Sequence, residues 1–345
     1  MTKRDTRRNF LRLLDETWPG VQSAFVLAMR QVQSDVVMQE LELAISRGDV
    51  QAAFVALRFD PSDLFRTDTA ISAAMSAGGN YQMDAIRAQS RPLPAATRVV
   101  QSYGGRNERA ERIARDLGAR LVTEVLDDTR VMIAETIRTG LELGHNPKRT
   151  ALDIGGRMVN GRRQGGLVGL HSQQAGYVRS LRSELADPAR MANYFNRTRR
   201  DKRFDGIARR AMENGRPVAQ VDIDRMAGRY SDRLLATRAE TIARTETLRA
   251  LNAGRNEAID QLIESPTNDV QAQDVTRKWD ATGDGLTRKT HADAEGQPRA
   301  HGEPFLIGLS LLMFPGDTSL GAEAKETINC RCYYEIVIDF FARLT

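Results

Sequence analysis

The chain's only two cysteines, Cys330 and Cys332, stand two apart in the stretch ETINCRCYYEIVIDF. Such a pair can pack, form a disulfide, bind a metal or act as a nucleophile. On a strand, residues i and i+2 share a face, which would set Cys330, Cys332, Tyr334, Ile336 and Ile338 on one side. A free cysteine is a small and usually buried hydrophobe, so packing in a core strand is the preferred reading, with no cofactor required. A disulfide between residues this close has poor geometry. The alternative is zinc, held by Cys330, Cys332 and His291 with either His301 or a carboxylate, a mixed sulfur and nitrogen set that tetrahedral sites accept. Catalysis by either thiol needs an activating His and a depressed pKa, neither of which a sequence displays.

Asp280, Asp284, Arg288 and His291 form a second polar group. Arg288 and His291 are three apart, so on a helix they project from one face. An enzymatic reading makes His291 a base oriented by Asp280 or Asp284. The preferred reading is a hydrogen-bonded ring tying strand, turn and helix together, and no catalytic residue is assigned.

The third feature is charge. The net charge is +5, yet residues 157–210 hold thirteen Lys and Arg against four acids (Glu184, Asp187, Asp201, Asp205), or 13 − 4 = +9, which leaves 5 − 9 = −4 for the rest. The densest run, NRTRRDKRFDGIARR, offers Arg197, Arg199, Arg200, Lys202, Arg203, Arg209 and Arg210 as phosphate contacts. Binding of this kind is salt-sensitive and indifferent to base sequence. The competing reading is that these arginines pair with acids elsewhere in the chain. Tyr194, Phe195 and Phe204 read equally as core residues or as stacking platforms. A free-standing DNA-binding regulator is the weakest class, because no zinc-finger spacing, basic zipper or recognition helix stands out.

Helices must position these groups. The first hundred residues read as short helices joined by tight turns, with Asp49 and Asp60 as caps and Gly78-Gly79 as a terminator. A linker is expected at QSRPLPAATR. A long helix follows from Asn107 to about Leu143, closed by Gly144. Asn146-Pro147 starts a short helix, GGRMVNGRRQGG reads as a flexible basic hinge, and AGYVRSLRSEL as another helix. The longest helical pattern runs through YSDRLLATRAETIARTETLRALNAGRNEAIDQLIES. After Ser265-Pro266, strand and turn signals take over in RKWDAT, PFLIGLSLLMF and NCRCYYEIVIDF, with a short helix in LTRKTHADAEG. The expected fold is therefore mainly α with long helices plus a small C-terminal α+β module. Its expected division is residues 1–100, a helical region; 101–265, a long-helix body; and 266–345, the α+β module. The longest apolar run, at residues 305–314, is about half a bilayer span. No export signal follows the basic N-terminus, so a cytoplasmic protein without a membrane partner is expected.

Three stretches, ETIARTETLRALNAGRNEAI, KWDATGDGLTRKTHADAEGQ…EPF and FPGD…ETINCRC, together resemble the phage Mu F-like minor head protein family, also called the phage head morphogenesis family. The resemblance is close from about residue 219 to 335 and looser upstream. On this chain the family's motif positions fall on Arg244, Glu246, Trp279, Asp280, Asp284, Arg288, His291, Asn329, Cys330 and Cys332. Arg244 and Glu246, two apart on a helix, are expected to dock separately onto the C-terminal module. Many family members carry a His two residues before Asn-Cys-Arg-Cys; here that position holds Thr327. The resemblance implies a structural protein of a tailed-phage or prophage head, lying inside the virion near the portal vertex after assembly in the host cytoplasm. Its implied partners are the portal protein, a major capsid or scaffold protein, and phage DNA during packaging or ejection. The alternative is an enzyme built on the C-terminal module, a metal-dependent hydrolase or a toxin-like transferase.

Overall fold

The computed structural model describes residues 3–94 and 98–341, with side chains from residue 6 onward. It is mainly helical with a small C-terminal strand region, as the sequence implies. In chain order the elements are α1 (Lys3–Asp35), α2 (Met38–Ser46), α3 (Val50–Ala56), α4 (Phe65–Ser90), α5 (Glu108–Glu142), α6 (Pro147–Gly155), β1 (Arg157–Val159) and β2 (Arg162–Gln164). There follow α7 (Ser172–Ala186), α8 (Ala192–Phe195), α9 (Asp205–Glu213), α10 (Gln220–Glu264), β3 (Val275–Asp280), α11 (Lys289–Asp293), β4 (Pro298–Ala300), β5 (Phe305–Ile307), β6 (Ser310–Leu312), α12 (Ala324–Thr327) and β7 (Tyr333–Ile338). At 1.5 Å per residue, the 45 residues of α10 make a rod of about 68 Å. No helix among the described residues is long and apolar enough to cross a membrane.

Several expectations needed correction. The first hundred residues are not all short helices: α1 runs for 33 residues through Pro19, carrying a buried stripe of Phe10, Leu14, Val21, Phe25, Met29 and Val32 at helical spacing. Gly78-Gly79 does not end α4. A Cβ on Gly78 would lie 2.0 Å from the Leu251 carbonyl oxygen, and one on Gly254 would lie 1.9 Å from that of Met75. These glycines let α4 and α10 touch backbone to backbone, so they serve contact rather than termination. The basic loop at 155–166 is a β-hairpin of β1 and β2, turned at Asn160 and Gly161, both with positive φ. Asn-Gly is the residue pair such a two-residue turn demands. The expected linker lies partly outside the described residues.

The chain divides into two compact units, each built from separated segments where three consecutive regions were expected. One comprises residues 24–66 and 120–239. In it α2 packs on α3 and α6, and its core includes Leu41, Ile45, Ile133, Ile137, Ile154, Leu181 and Tyr230. Asp49 caps α3 and Asn146 caps α6 through side-chain bonds to the Ala52 and Lys148 amides.

The other comprises residues 1–23, 67–119 and 240–345. Its sheet has the antiparallel order β4-β3-β7, with Val275, Arg277 and Trp279 opposite Ile338, Ile336 and Tyr334. The hairpin β5-β6 stands beside it, turning at Gly308. A single core gathers Phe10, Leu14, Met83, Ile86, Leu248, Leu251, Ile259, Trp279, Phe305 and Tyr334. The second half of α10 is buried on nearly all sides, which marks it as the centre of this unit.

Candidate functional site

The segment between α12 and β7 is irregular, and it carries the cysteines. Neither lies on β7, which begins at Tyr333, so the core strand expected to contain them starts just after them. Their segment is fixed from several directions. Asn329 takes a left-handed backbone, and its amide donates to Thr245 Oγ1 on α10 at 3.0 Å. The Arg331 carbonyl accepts from Thr282 Oγ1, and its guanidinium grips Asp284 with two bonds of 2.6 and 2.8 Å.

Cys330 and Cys332 are free thiols, both buried, and both face His291 of α11. His291 Nδ1 lies 3.2 Å from Cys332 Sγ and 3.7 Å from Cys330 Sγ. On the opposite side of the ring, Nε2 lies 3.1 Å from Glu326 Oε2 of α12, and Thr290 Oγ1 donates to the same oxygen at 2.8 Å. The edge of His291 meets Trp279 at 5.6 Å between ring centres. The Cys332 thiol is held well below the ordinary range, first by the hydrogen bond from Cys330 and then by His291, while the Cys330 thiol is pushed up by the same partner and by burial. One thiol is thus primed to ionise while the other donates to it.

The three sulfur and nitrogen atoms lie within 4.8 Å of one another, a grouping suited to a metal ion. His301, the other candidate ligand, is elsewhere: its Nε2 bonds Asp260 at 2.6 Å. Nothing near Glu326 in the chain singles it out, because its partner His291 is 35 residues away.

The expected polar ring does not form, because each member has its own partner. Asp280 binds Arg7 of α1 at 2.6 Å, and Arg7 also reaches the carbonyls of Ala281 and Thr282. Asp284 pairs with Arg331, and Arg288 donates to the Ile328 carbonyl. Arg288 is the N-cap of α11, with extended backbone, so it does not share a helical face with His291. Arg244 does not dock on the C-terminal module either. It pairs with Glu240 at 3.0 Å and covers the Trp18 ring at 4.8 Å. Glu246 is buried and bonds Arg249.

Three arginines that sequence reading passed over do more than these. Arg249 Nε donates to the Gly316 carbonyl at 2.8 Å. Arg255, fully buried, donates to Gln82, to Asn252 and to the Tyr334 carbonyl, at 2.8–3.1 Å, with its guanidinium 4.4 and 4.2 Å from the ring centres of Tyr333 and Tyr334. Arg277 donates to the carbonyls of Met313, Ala300 and Glu303 and lies over Phe305. A signal did exist: Glu246, Arg249, Asn252 and Arg255 recur every third residue, a polar stripe along an otherwise apolar helix face.

The basic segment is partly paired within its own unit. Arg197 forms two 2.7 Å bonds with Glu184, Arg200 two of 3.0 Å with Asp205, and Arg203 three of 2.7–3.2 Å with Asp201. Three of the segment's four acids are consumed there. Arg157 and Arg182 share Asp153 and Asp224 at the lining of a cavity of about 560 Å³. Arg199 is exposed and reaches Thr237, while Lys202, Arg209 and Arg210 are exposed. Tyr194 is core. Arg200 and Arg209 lie over Phe195, so that ring is already stacked.

Residues 207–335, from α9 to the middle of β7, match the family model described as phage Mu protein F like protein. No curated protein and no solved structure matches the chain. The matched span holds Arg249, Arg255, Arg277, the cysteines, His291 and Glu326, and of the seven basic candidates only Arg209 and Arg210.

Proposed function

We propose that this chain is a minor structural protein of a tailed-phage head that acts in head morphogenesis at the portal vertex. The observation that carries this reading is the family match over residues 207–335. The second half of α10 and the α+β module after it, both inside the match, are tied by buried arginines donating to backbone carbonyls, which suits a part that must hold its shape within an assembly. On this reading the protein resides inside the virion head and is assembled in the host cytoplasm. It contacts the portal protein and a capsid or scaffold protein. Non-specific contact with phage DNA falls to Arg199, Lys202, Arg203, Arg209 and Arg210, all exposed.

An enzymatic reading would draw on Cys332, His291 and Glu326, which line up as nucleophile, base and orienting carboxylate. All three are 1–2 % exposed, which favours a structural role, since a nucleophile must meet its substrate. The portal contact is tested by co-expression with the portal protein of the same phage and affinity capture. Truncating residues 1–100 is a poor probe, because Phe10 is buried and packs 5.2 Å from Tyr333. Capture of portal by the intact chain is the expected result. Folded chain that never retains portal would refute the portal contact.

A further inference from the structure

We propose that Cys330, Cys332 and His291 bind a zinc ion that staples the irregular part of the C-terminal module. Ligands at tetrahedral zinc, with Zn–S of about 2.3 Å and Zn–N of about 2.0 Å, stand roughly 3.5–3.8 Å apart. Of the distances from His291 Nδ1 to the two sulfurs, 3.7 Å to Cys330 lies within that range and 3.2 Å to Cys332 falls slightly short of it. The donors are thiolate and imidazole, the set that favours zinc over magnesium or calcium.

The surroundings are those of a ligand histidine. With an ion bound, Nε2–H would donate to Glu326 and the Nδ1 lone pair would serve the ion, and Thr290 fixes the carboxylate in turn. A buried carboxylate, itself held by Thr290, thus meets the imidazole on the side away from the two thiols. Packing alone does not call for a buried glutamate there, and a metal-binding histidine does.

The location explains what the ion would do. The three donors come from α11, of five residues, and from the segment after α12, of four, and neither helix is long enough to be stable alone. The sheet β4-β3-β7 has its own ladder, but this region does not. One ion bonded to both would join them at a single point. Binding releases the thiol protons, so the two thiolates offset the charge of Zn²⁺.

The full-length chain, purified under reducing conditions from zinc-supplemented cells, should carry about one zinc per chain by elemental analysis. After removal of metal with a chelator, Co²⁺ titrated into the wild type should raise a thiolate-to-cobalt charge-transfer band that Zn²⁺ abolishes. Cys330→Ser and Cys332→Ser should remove the band. Glu326→Gln should weaken affinity roughly 10–100-fold while leaving the band's shape. His301→Gln, whose imidazole serves Asp260, should leave affinity unchanged. Loss of protease resistance in the α11–α12 region on stripping, restored by Zn²⁺, would also support the site. Wild-type protein that keeps its fold but neither carries zinc nor gives the cobalt band overturns it, as does an equal loss in His301→Gln.

Discussion

The arginines of residues 197–210 and the three of residues 249–277 end in different surroundings. In the first stretch the guanidiniums pair with nearby carboxylates or remain in water. In the second, Arg249, Arg255 and Arg277 are at most 4 % exposed and spend their donors largely on carbonyl oxygens and amides. The difference lies in what flanks them. The first stretch holds irregular chain, a 3-10 turn and the start of α9, with Asp201 and Asp205 interleaved. The second runs from the end of α10 into β3 within the module, where the carbonyls of Gly316, Met313, Glu303 and Tyr334 take up the guanidinium donors. Arginine's fork of five donors suits that second task, and a lysine would not meet it. Counting charge therefore finds the first group and misses the second.

The contrast can be broken in several ways, starting with the largest effect. Arg255→Met removes the donor to Gln82, Asn252 and the Tyr334 carbonyl and leaves buried acceptors without partners, each costing about 1–3 kcal/mol. Its unit should lose about 3 kcal/mol or more in urea unfolding followed by intrinsic fluorescence, with Trp279 as a reporter in the core. A loss below about 1 kcal/mol would mean that the guanidinium is not a structural tie. Next, Gly254→Ala should cost about 1–3 kcal/mol, because the added methyl meets the Met75 carbonyl and two helices must separate. The same substitution at Gly206, where a Cβ meets nothing within 4 Å, should be close to neutral and serves as the control.

A smaller effect is expected at Asp201. The hydrogen bond from Arg203 holds its carboxyl at about 2 against an ordinary 3.8, so its folded-state pKa is depressed. Its contribution to stability is therefore present above about pH 4 and is lost as the pH falls toward 2. Asp201→Asn should cost about 1 kcal/mol at neutral pH, and that difference should vanish near pH 2 in thermal melts. Last, Lys202→Ala, Arg209→Ala and Arg210→Ala combined should change stability by no more than about 0.5 kcal/mol each. They should lower affinity for random duplex DNA and flatten its salt dependence in a gel shift. If the triple variant binds DNA as the wild type does, the basic surface is only an intramolecular charge balance.

Much of the helical scaffold was legible because its signals are local. Long 3–4 periodicity marked α5 and most of α10, and Asn146-Pro147 and Asp49 marked helix starts. The turn of the hairpin at 157–164 is legible in Asn160-Gly161, but its short, charged strands carry no apolar alternation that would mark them. What was not legible depends on contacts between distant segments. Gly78 reads as a helix terminator until the opposing backbone of α10 is seen. The division into two units escapes because α1, α4, α5 and α10 each contribute residues to both. At the cluster, the pair of cysteines and His291 could be named in advance, since residue type alone suggests them. Glu326 could not, because nothing near it in sequence calls for a buried carboxylate, and the ring drawn through Asp280, Asp284 and Arg288 failed because Arg7 and Arg331 claim the two acids.

The central claim, a structural role in the phage head, is tested most directly by incorporation. The chain would be co-expressed with the portal, scaffold and major capsid proteins of its phage, and procapsids separated on a gradient and analysed by quantitative mass spectrometry. A head morphogenesis protein at the portal vertex should sediment with the procapsids, far below the major capsid protein in amount, and should leave that fraction when portal is omitted. Folded, soluble protein that stays at the top of the gradient and is absent from every procapsid fraction would contradict the account.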